Sequence, residues 1–136
     1  METTNAIFNS SFNRALGNPS FNHDFIQYFY KDLLGSSGEI AALFKNTNMS
    51  AQKTMLHDSL NLMVEYYQSS ELPIGMKRIA EVHSRQGRAI PERMYEIWLE
   101  SLVDTLQAFD PEFNPAVEQA WREVLAPGIA FMQDQY

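Results

Sequence analysis

Residues 72–87, LPIGMKRIAEVHSRQG, form the stretch that decides how this chain folds and where its chemistry lies. Pro73 is suited to open a helix and Gly87 to close it. Helical spacing places His83 on one apolar stripe with Ile79, so its imidazole is directed into a hydrophobic interior. Such a histidine is either a structural residue that hydrogen-bonds a carbonyl or the axial ligand of a buried cofactor metal. Taken alone, the structural role is favoured, because most buried histidines are satisfied core residues.

Composition narrows the class of protein. The 136 residues are 45% hydrophobic and contain no cysteine, which predicts one globular domain over residues 1–136 without disulfides or thiolate sites. A net charge of −7 argues against nucleic acid or an anionic membrane as partner. The N-terminus lacks the pattern of a secretion signal and no apolar run is long enough to span a bilayer, so we expect a cytoplasmic protein.

Helical rather than strand periodicity runs through nearly all of the chain. Besides the His83 stretch, we predict helices over residues 6–16, 20–34, 39–44, 50–67 and 91–109, and a last one from Asn114. Ser50 is suited to cap the long helix that follows it. Pro127 should kink the last helix or break it early. The sequence therefore predicts an all-α domain of about six to eight helices.

Five short segments, in order along nearly the whole chain, resemble the globin family. They are YFYKDLL at 28–34, ALF at 42–44, QKTML at 52–56, IAEVHSRQG at 79–87 and AW at 120–121. The likeness is greatest to bacterial single-domain haemoglobins and to the haem domain of flavohaemoglobins. It implies a globin-like fold that encloses a pocket for haem b.

The resemblance assigns roles to particular residues. His83 is the proximal iron ligand, and Phe44 is wedged against the porphyrin edge. Tyr30 and Gln52 are the distal hydrogen-bond donors, with Leu56 above the iron. Nothing in this distal set binds iron strongly, so we expect a pentacoordinate iron whose sixth site is open to small ligands.

Further residues complete the implied haem-binding set: Ile79, Val82, Tyr95 and Trp98. The carbonyl of Ile79, one turn before His83, should accept a hydrogen bond from the second ring nitrogen. In flavohaemoglobin-like domains a late glutamate and a tyrosine together strengthen the proximal imidazole. Tyr95 matches the tyrosine, but no glutamate occurs at the end of this chain. A strongly anionic proximal ligand is therefore not expected.

The residues support this distal arrangement on physical grounds as well. Gln52 and Leu56 are four residues apart and share a helical face, and Tyr30 can converge on the same spot. Each residue also has a simpler role: Tyr30 as a core aromatic whose hydroxyl reaches a backbone carbonyl, and Gln52 as a solvated polar residue. His57 is adjacent to Leu56 and should point away from the pocket, so we do not expect it to be a ligand.

Three functions fit these features. The first is reversible binding of dioxygen, and of other diatomic gases such as carbon monoxide and nitric oxide, by a monomer or homodimer. The second is nitric oxide dioxygenation, for which an external reductase is expected because no dinucleotide-binding fingerprint occurs in these residues. The third is a haem-free globin-like interaction or sensor domain.

Overall fold

The chain folds into packed α-helices. The computed structural model describes residues 3–17, 19–84 and 90–135, and within these ranges there is no strand and no helix long and apolar enough to cross a membrane. The helices are α1 Thr4–Leu16, α2 Pro19–Ser36, α3 Gly38–Leu43, α4 Met49–Ser69, α5 Met76–His83, α6 Glu92–Phe109 and α7 Pro115–Asp134. The all-α prediction is confirmed, with seven helices in the part of the chain described.

Short polar side chains fix where three helices begin. Thr3, Asn48 and Asn114 each place a side-chain oxygen on the backbone N–H three residues further on, at the starts of α1, α4 and α7. This contact satisfies one of the N–H groups that have no partner inside the helix. The prediction that Ser50 caps α4 is wrong. Asn48 lies two residues earlier and is at least as good a cap, so α4 begins before Ser50.

The helix that carries His83 is shorter than its sequence pattern predicts. It begins at Met76, after Gly75 adopts a left-handed conformation with φ of 97°. Glycine accepts this conformation without the steric cost that a Cβ atom would bring. Pro73 therefore lies in the preceding turn and does not open the helix. The helix ends at His83, and Gly87, which was expected to close it, lies outside the described residues.

The last helix passes through Pro127 and continues to Asp134, so the predicted early break is wrong. Buried side chains on both sides of the proline, Leu125 and Met132 among them, hold the two halves against the core. The next residue, Gly128, allows close approach of α7 to α4. A Cβ atom there would lie 2.6 Å from Cγ of Met63, which is far inside van der Waals contact.

A buried polar network ties α1 to the connection between α6 and α7. The indole of Trp121 donates to the Ser11 hydroxyl at 2.9 Å, and this hydroxyl donates to the Asp110 carboxylate at 2.6 Å. Arg14 adds two further hydrogen bonds to the same carboxylate. Burial alone raises the pKa of Asp110, but the hydrogen bonds from Arg14 and Ser11 outweigh it and hold this pKa below its usual value.

Candidate functional site

An apolar cavity lies among the helices. Its empty volume, counted out to its opening into solvent, is about 740 Å³. Every helix except α1 contributes to its wall. The lining residues are Tyr30, Leu33, Ile40, Leu43, Phe44, Gln52, Met55, Leu56, Ser59, Met63, His83, Ile90, Met94, Tyr95, Trp98, Ile129 and Met132.

His83 is the one imidazole in this lining, and its ring orientation is fixed by the helix that carries it. The Nδ1 atom lies 2.8 Å from the carbonyl oxygen of Ile79, one turn earlier, as the sequence predicted. A carbonyl can only accept, so Nδ1 carries the proton and the lone pair of the neutral ring lies on Nε2. This tautomer is the one in which Nε2 can bind a metal.

Tyr95 lies beside His83 on the cavity wall. The centroids of the two rings are 6.5 Å apart. The Tyr95 hydroxyl is buried and has no hydrogen-bond partner among the described residues. Burial raises the pKa of this phenol to about 12, so it is protonated at neutral pH. The site therefore holds a donor that a polar group entering the cavity could satisfy.

The hydroxyl of Tyr30 is also directed to the cavity, but it already has a partner. It donates to the main-chain carbonyl of Gln52 across 3.2 Å, the contact expected if Tyr30 is simply a core aromatic residue. This distance is long for an O–H···O bond, whose usual length is about 2.7–2.8 Å, so the bond is weak. Burial raises the pKa of Tyr30 to about 12, against a smaller lowering by a hydrogen bond with the Gln52 side chain. The phenol therefore stays protonated and remains a donor.

Aromatic rings fix the position of Tyr30. Its ring packs edge-on against Phe44, at 6.0 Å between centroids, and against Phe29 at 5.1 Å. Phe29 in turn meets Trp98 of α6 at 5.9 Å. Phe44 directly follows α3, which places it at the junction of that short helix with the cavity. These contacts give the Tyr30 hydroxyl little freedom to move away from the space it faces.

Seven of the nine predicted site residues line this one cavity: Tyr30, Phe44, Gln52, Leu56, His83, Tyr95 and Trp98. Ile79 and Val82 do not line it. Ile79 acts on the site through its carbonyl, which accepts from His83. The structure thus brings together residues from four helices and the end of a fifth, although their haem-binding role stays a prediction.

Ten further residues of the wall were not predicted from the sequence: Leu33, Ile40, Leu43, Met55, Ser59, Met63, Ile90, Met94, Ile129 and Met132. Met63 lies seven residues after Leu56 and Met94 lies four residues before Trp98, so helical periodicity could have assigned both to the wall. Ile129 and Met132 follow Pro127, and the expected break in α7 concealed them. Four of the wall residues are methionines, whose flexible side chains adapt to an irregular space.

The other histidines lie outside the cavity. His57 is 40% exposed and its ring nitrogen lies 3.7 Å from the Asp58 carboxylate, and His23 is exposed. The prediction that His57 points away from the pocket is confirmed. Within the three described ranges, no cluster of three or more His, Cys, Asp or Glu side chains could hold a metal ion.

The donor set fits a haem better than it fits a bare ion. One oriented imidazole offers a single bond to a metal, and the walls around it are almost entirely apolar, as a porphyrin requires. The buried hydroxyl of Tyr95 on the same wall is left to be satisfied by a group that the cavity receives.

Comparison with known proteins gives one informative result. No protein-family model and no curated protein matches this chain. Its structure is similar to the crystal structure of a protein from Pseudomonas aeruginosa PAO1 that is described as structurally highly homologous to a human hemoglobin. The TM-score is 0.87 and the sequence identity 27%, over 98% of this chain and 98% of the other. The similarity therefore covers the helices that form the cavity.

Proposed function

Because this chain belongs to the globin family, we propose that its cavity binds haem b and that the loaded protein binds dioxygen reversibly. The observation that carries the proposal is the position of His83. It is the single imidazole on an apolar wall, and its Nδ1–H is held by the Ile79 carbonyl at 2.8 Å. No other residue of that wall offers iron a comparable nitrogen ligand.

When bound, haem supplies an iron atom at which diatomic gases bind and dissociate. In this proposal His83 binds iron through Nε2, and the hydrogen bond to Ile79 keeps the ring from rotating. Phe44, Leu56 and Trp98 provide apolar surface and exclude water. A dry, apolar surrounding strengthens each hydrogen bond made inside it.

Tyr30 and Gln52 supply hydrogen-bond donors to the ligand. A diatomic ligand that gains partial negative charge on binding is a better acceptor than the neutral carbonyl of Gln52. Because the bond from Tyr30 to that carbonyl is long, the hydroxyl can exchange it for the ligand at small cost. The pKa of about 12 means that the phenol keeps its proton for this purpose at any physiological pH.

A gas-exchange experiment tests this function. The purified chain is loaded with haemin, reduced, and cycled between air and argon while its visible spectrum is recorded. We expect repeated, reversible conversion between two spectra. Failure of dioxygen to change the reduced spectrum would contradict the proposal, and so would irreversible oxidation within the mixing time. Stoichiometric nitrate formation on adding nitric oxide to the oxygenated protein, with turnover restored by an added reductase, would identify a dioxygenase instead.

A further inference from the structure

A second, open depression lies on the outside of the molecule, between α2 and α6. It encloses about 1630 Å³, counted out into solvent. We call it the α2–α6 groove and define it by Tyr28 and Asp32 of α2 and by Glu96, Ile97 and Asp104 of α6. These residues alternate along the two helices with residues that face the cavity, such as Tyr30 and Tyr95. The groove is therefore a separate surface, one helix away from the proposed haem site.

Acidic side chains outnumber basic ones in the groove, where Asp32, Glu96, Glu100 and Asp104 line the wall together with Lys31 and Arg122. No basic side chain among the described residues forms an ion pair with Asp32, Glu96 or Asp104. Arg122, at the margin, is already engaged by Glu100 at 2.8 Å and by Glu118 at 2.9 Å. The negative charges of Asp32, Glu96 and Asp104 are therefore available to a positively charged partner.

Asp32 of α2 and Asp104 of α6 line the groove from different helices. Partial burial, followed by the charge of Asp32 and a hydrogen bond with its side chain, raises the pKa of Asp104 above its usual value. Like charges that interact in this way repel each other, and a positive charge supplied by a partner would relieve that repulsion.

The same groove has exposed apolar surface. Tyr28 is 41% exposed, one of few large hydrophobic side chains with that much exposure in the described part of the chain. Its ring is held edge-on to Phe109 at 5.5 Å, so the exposed face is presented in a fixed position. Ile97 is half-buried beside the carboxylates. A partner that fits this surface must combine apolar side chains with positive charge.

We propose that the α2–α6 groove docks a lysine- or arginine-rich amphipathic helix of a partner protein. A channel between two helices accepts a third helix by its apolar stripe, with charged residues reaching the rim. The acidic positions on α6, from Glu96 to Asp104, span about 12 Å, or roughly two helical turns, so the docked segment must be at least that long. A second copy of this chain is a poor occupant, because the net charge is −7 and symmetric docking would bring two acidic grooves together.

The proposal is tested with a defined peptide and the full-length chain. The probe is a 14-residue helical peptide of leucine and lysine, with leucines spaced three and four apart, titrated into the ¹⁵N-labelled protein. We expect amide shifts confined to the faces of α2 and α6 that form the groove. The double variant Glu96→Gln/Asp104→Asn should weaken binding at least about fivefold, since two surface ion pairs are lost.

Matched variants separate this groove from general attraction to an acidic protein. Glu65→Gln/Glu71→Gln removes the same charge from exposed positions outside the groove and should change the dissociation constant less than about twofold. Equal weakening by both double variants, or shifts spread over the whole surface, would overturn the proposal. Self-association of the chain that Glu96→Gln/Asp104→Asn strengthens would also overturn it and identify a second copy as occupant. The assay needs no haem, so its outcome is independent of the proposed gas-binding function.

Discussion

The hydroxyl of Tyr30 offers the sharpest test of how the cavity treats its ligands. Tyr30→Phe removes one oxygen and keeps the ring contacts with Phe29 and Phe44. A hydrogen bond to a partly charged acceptor contributes about 1.5–3 kcal/mol, and the bond to the Gln52 carbonyl that must be given up contributes about 0.5–1.5 kcal/mol. The bond to the carbonyl is long at 3.2 Å, so it lies at the weak end of that range, about 0.5–1 kcal/mol. The net loss is therefore about 1–2 kcal/mol, which corresponds to a five- to thirtyfold change in an equilibrium constant.

The assay is stopped-flow measurement of dioxygen dissociation from the reduced, haem-loaded protein. We expect dissociation to be about five- to thirtyfold faster in Tyr30→Phe, while carbon monoxide affinity changes less than about threefold because carbon monoxide is a weaker acceptor. Tyr66→Phe removes a hydroxyl from a half-buried tyrosine outside the cavity and should leave both values unchanged. Identical dioxygen dissociation rates in Tyr30→Phe and the parent would show that Tyr30 only packs.

Three further predictions follow from the same contacts. Gly128→Ala places a Cβ atom 2.6 Å from Met63 Cγ, so thermal or urea unfolding should show a loss of about 1–3 kcal/mol, and a variant as stable as the parent would refute the close packing of α4 on α7. Asp110→Asn should lower the unfolding free energy by about 2 kcal/mol at pH 7, because a carboxylate that accepts several hydrogen bonds is replaced. The folded-state pKa of Asp110 lies below its unfolded value of about 3.9, so this contribution is present above that pH and is lost as the pH falls through the folded pKa. The difference between parent and variant should therefore shrink in acid, and a gap that stays constant to pH 2 would contradict this. Carbon monoxide should bind the reduced protein in one fast phase, since Gln52 is a poor iron ligand, and a bis-imidazole spectrum without added ligand would refute the open sixth site.

Much of this architecture could be predicted from periodicity because the helices are strongly amphipathic. The apolar stripe through Ile79 and His83 placed the imidazole on the cavity wall, and the carbonyl partner one turn earlier follows from helix geometry alone. Helix ends were harder to place. Asn48 and Ser50 are both good caps, and local chemistry does not decide between them.

The remaining errors arise from tertiary packing, which a single sequence does not display. Pro127 looked like a helix end, but buried residues on both sides hold α7 together, and Ile129 and Met132 reach the cavity as a result. The partner of the Tyr30 hydroxyl depends on how α2 packs against α4, so spacing alone could not reveal that it is the Gln52 carbonyl.

Haemin titration of the purified chain tests the central claim most directly. The parent and His57→Gly should each take up one haem per chain with an intense Soret band, because His57 lies outside the cavity. His83→Gly should not retain haem, and added imidazole should restore binding by filling the space that the side chain leaves. Restoration would also show that the variant is folded. A parent chain that takes up no haem would contradict the account, as would a His83→Gly variant that binds haem as the parent does without imidazole.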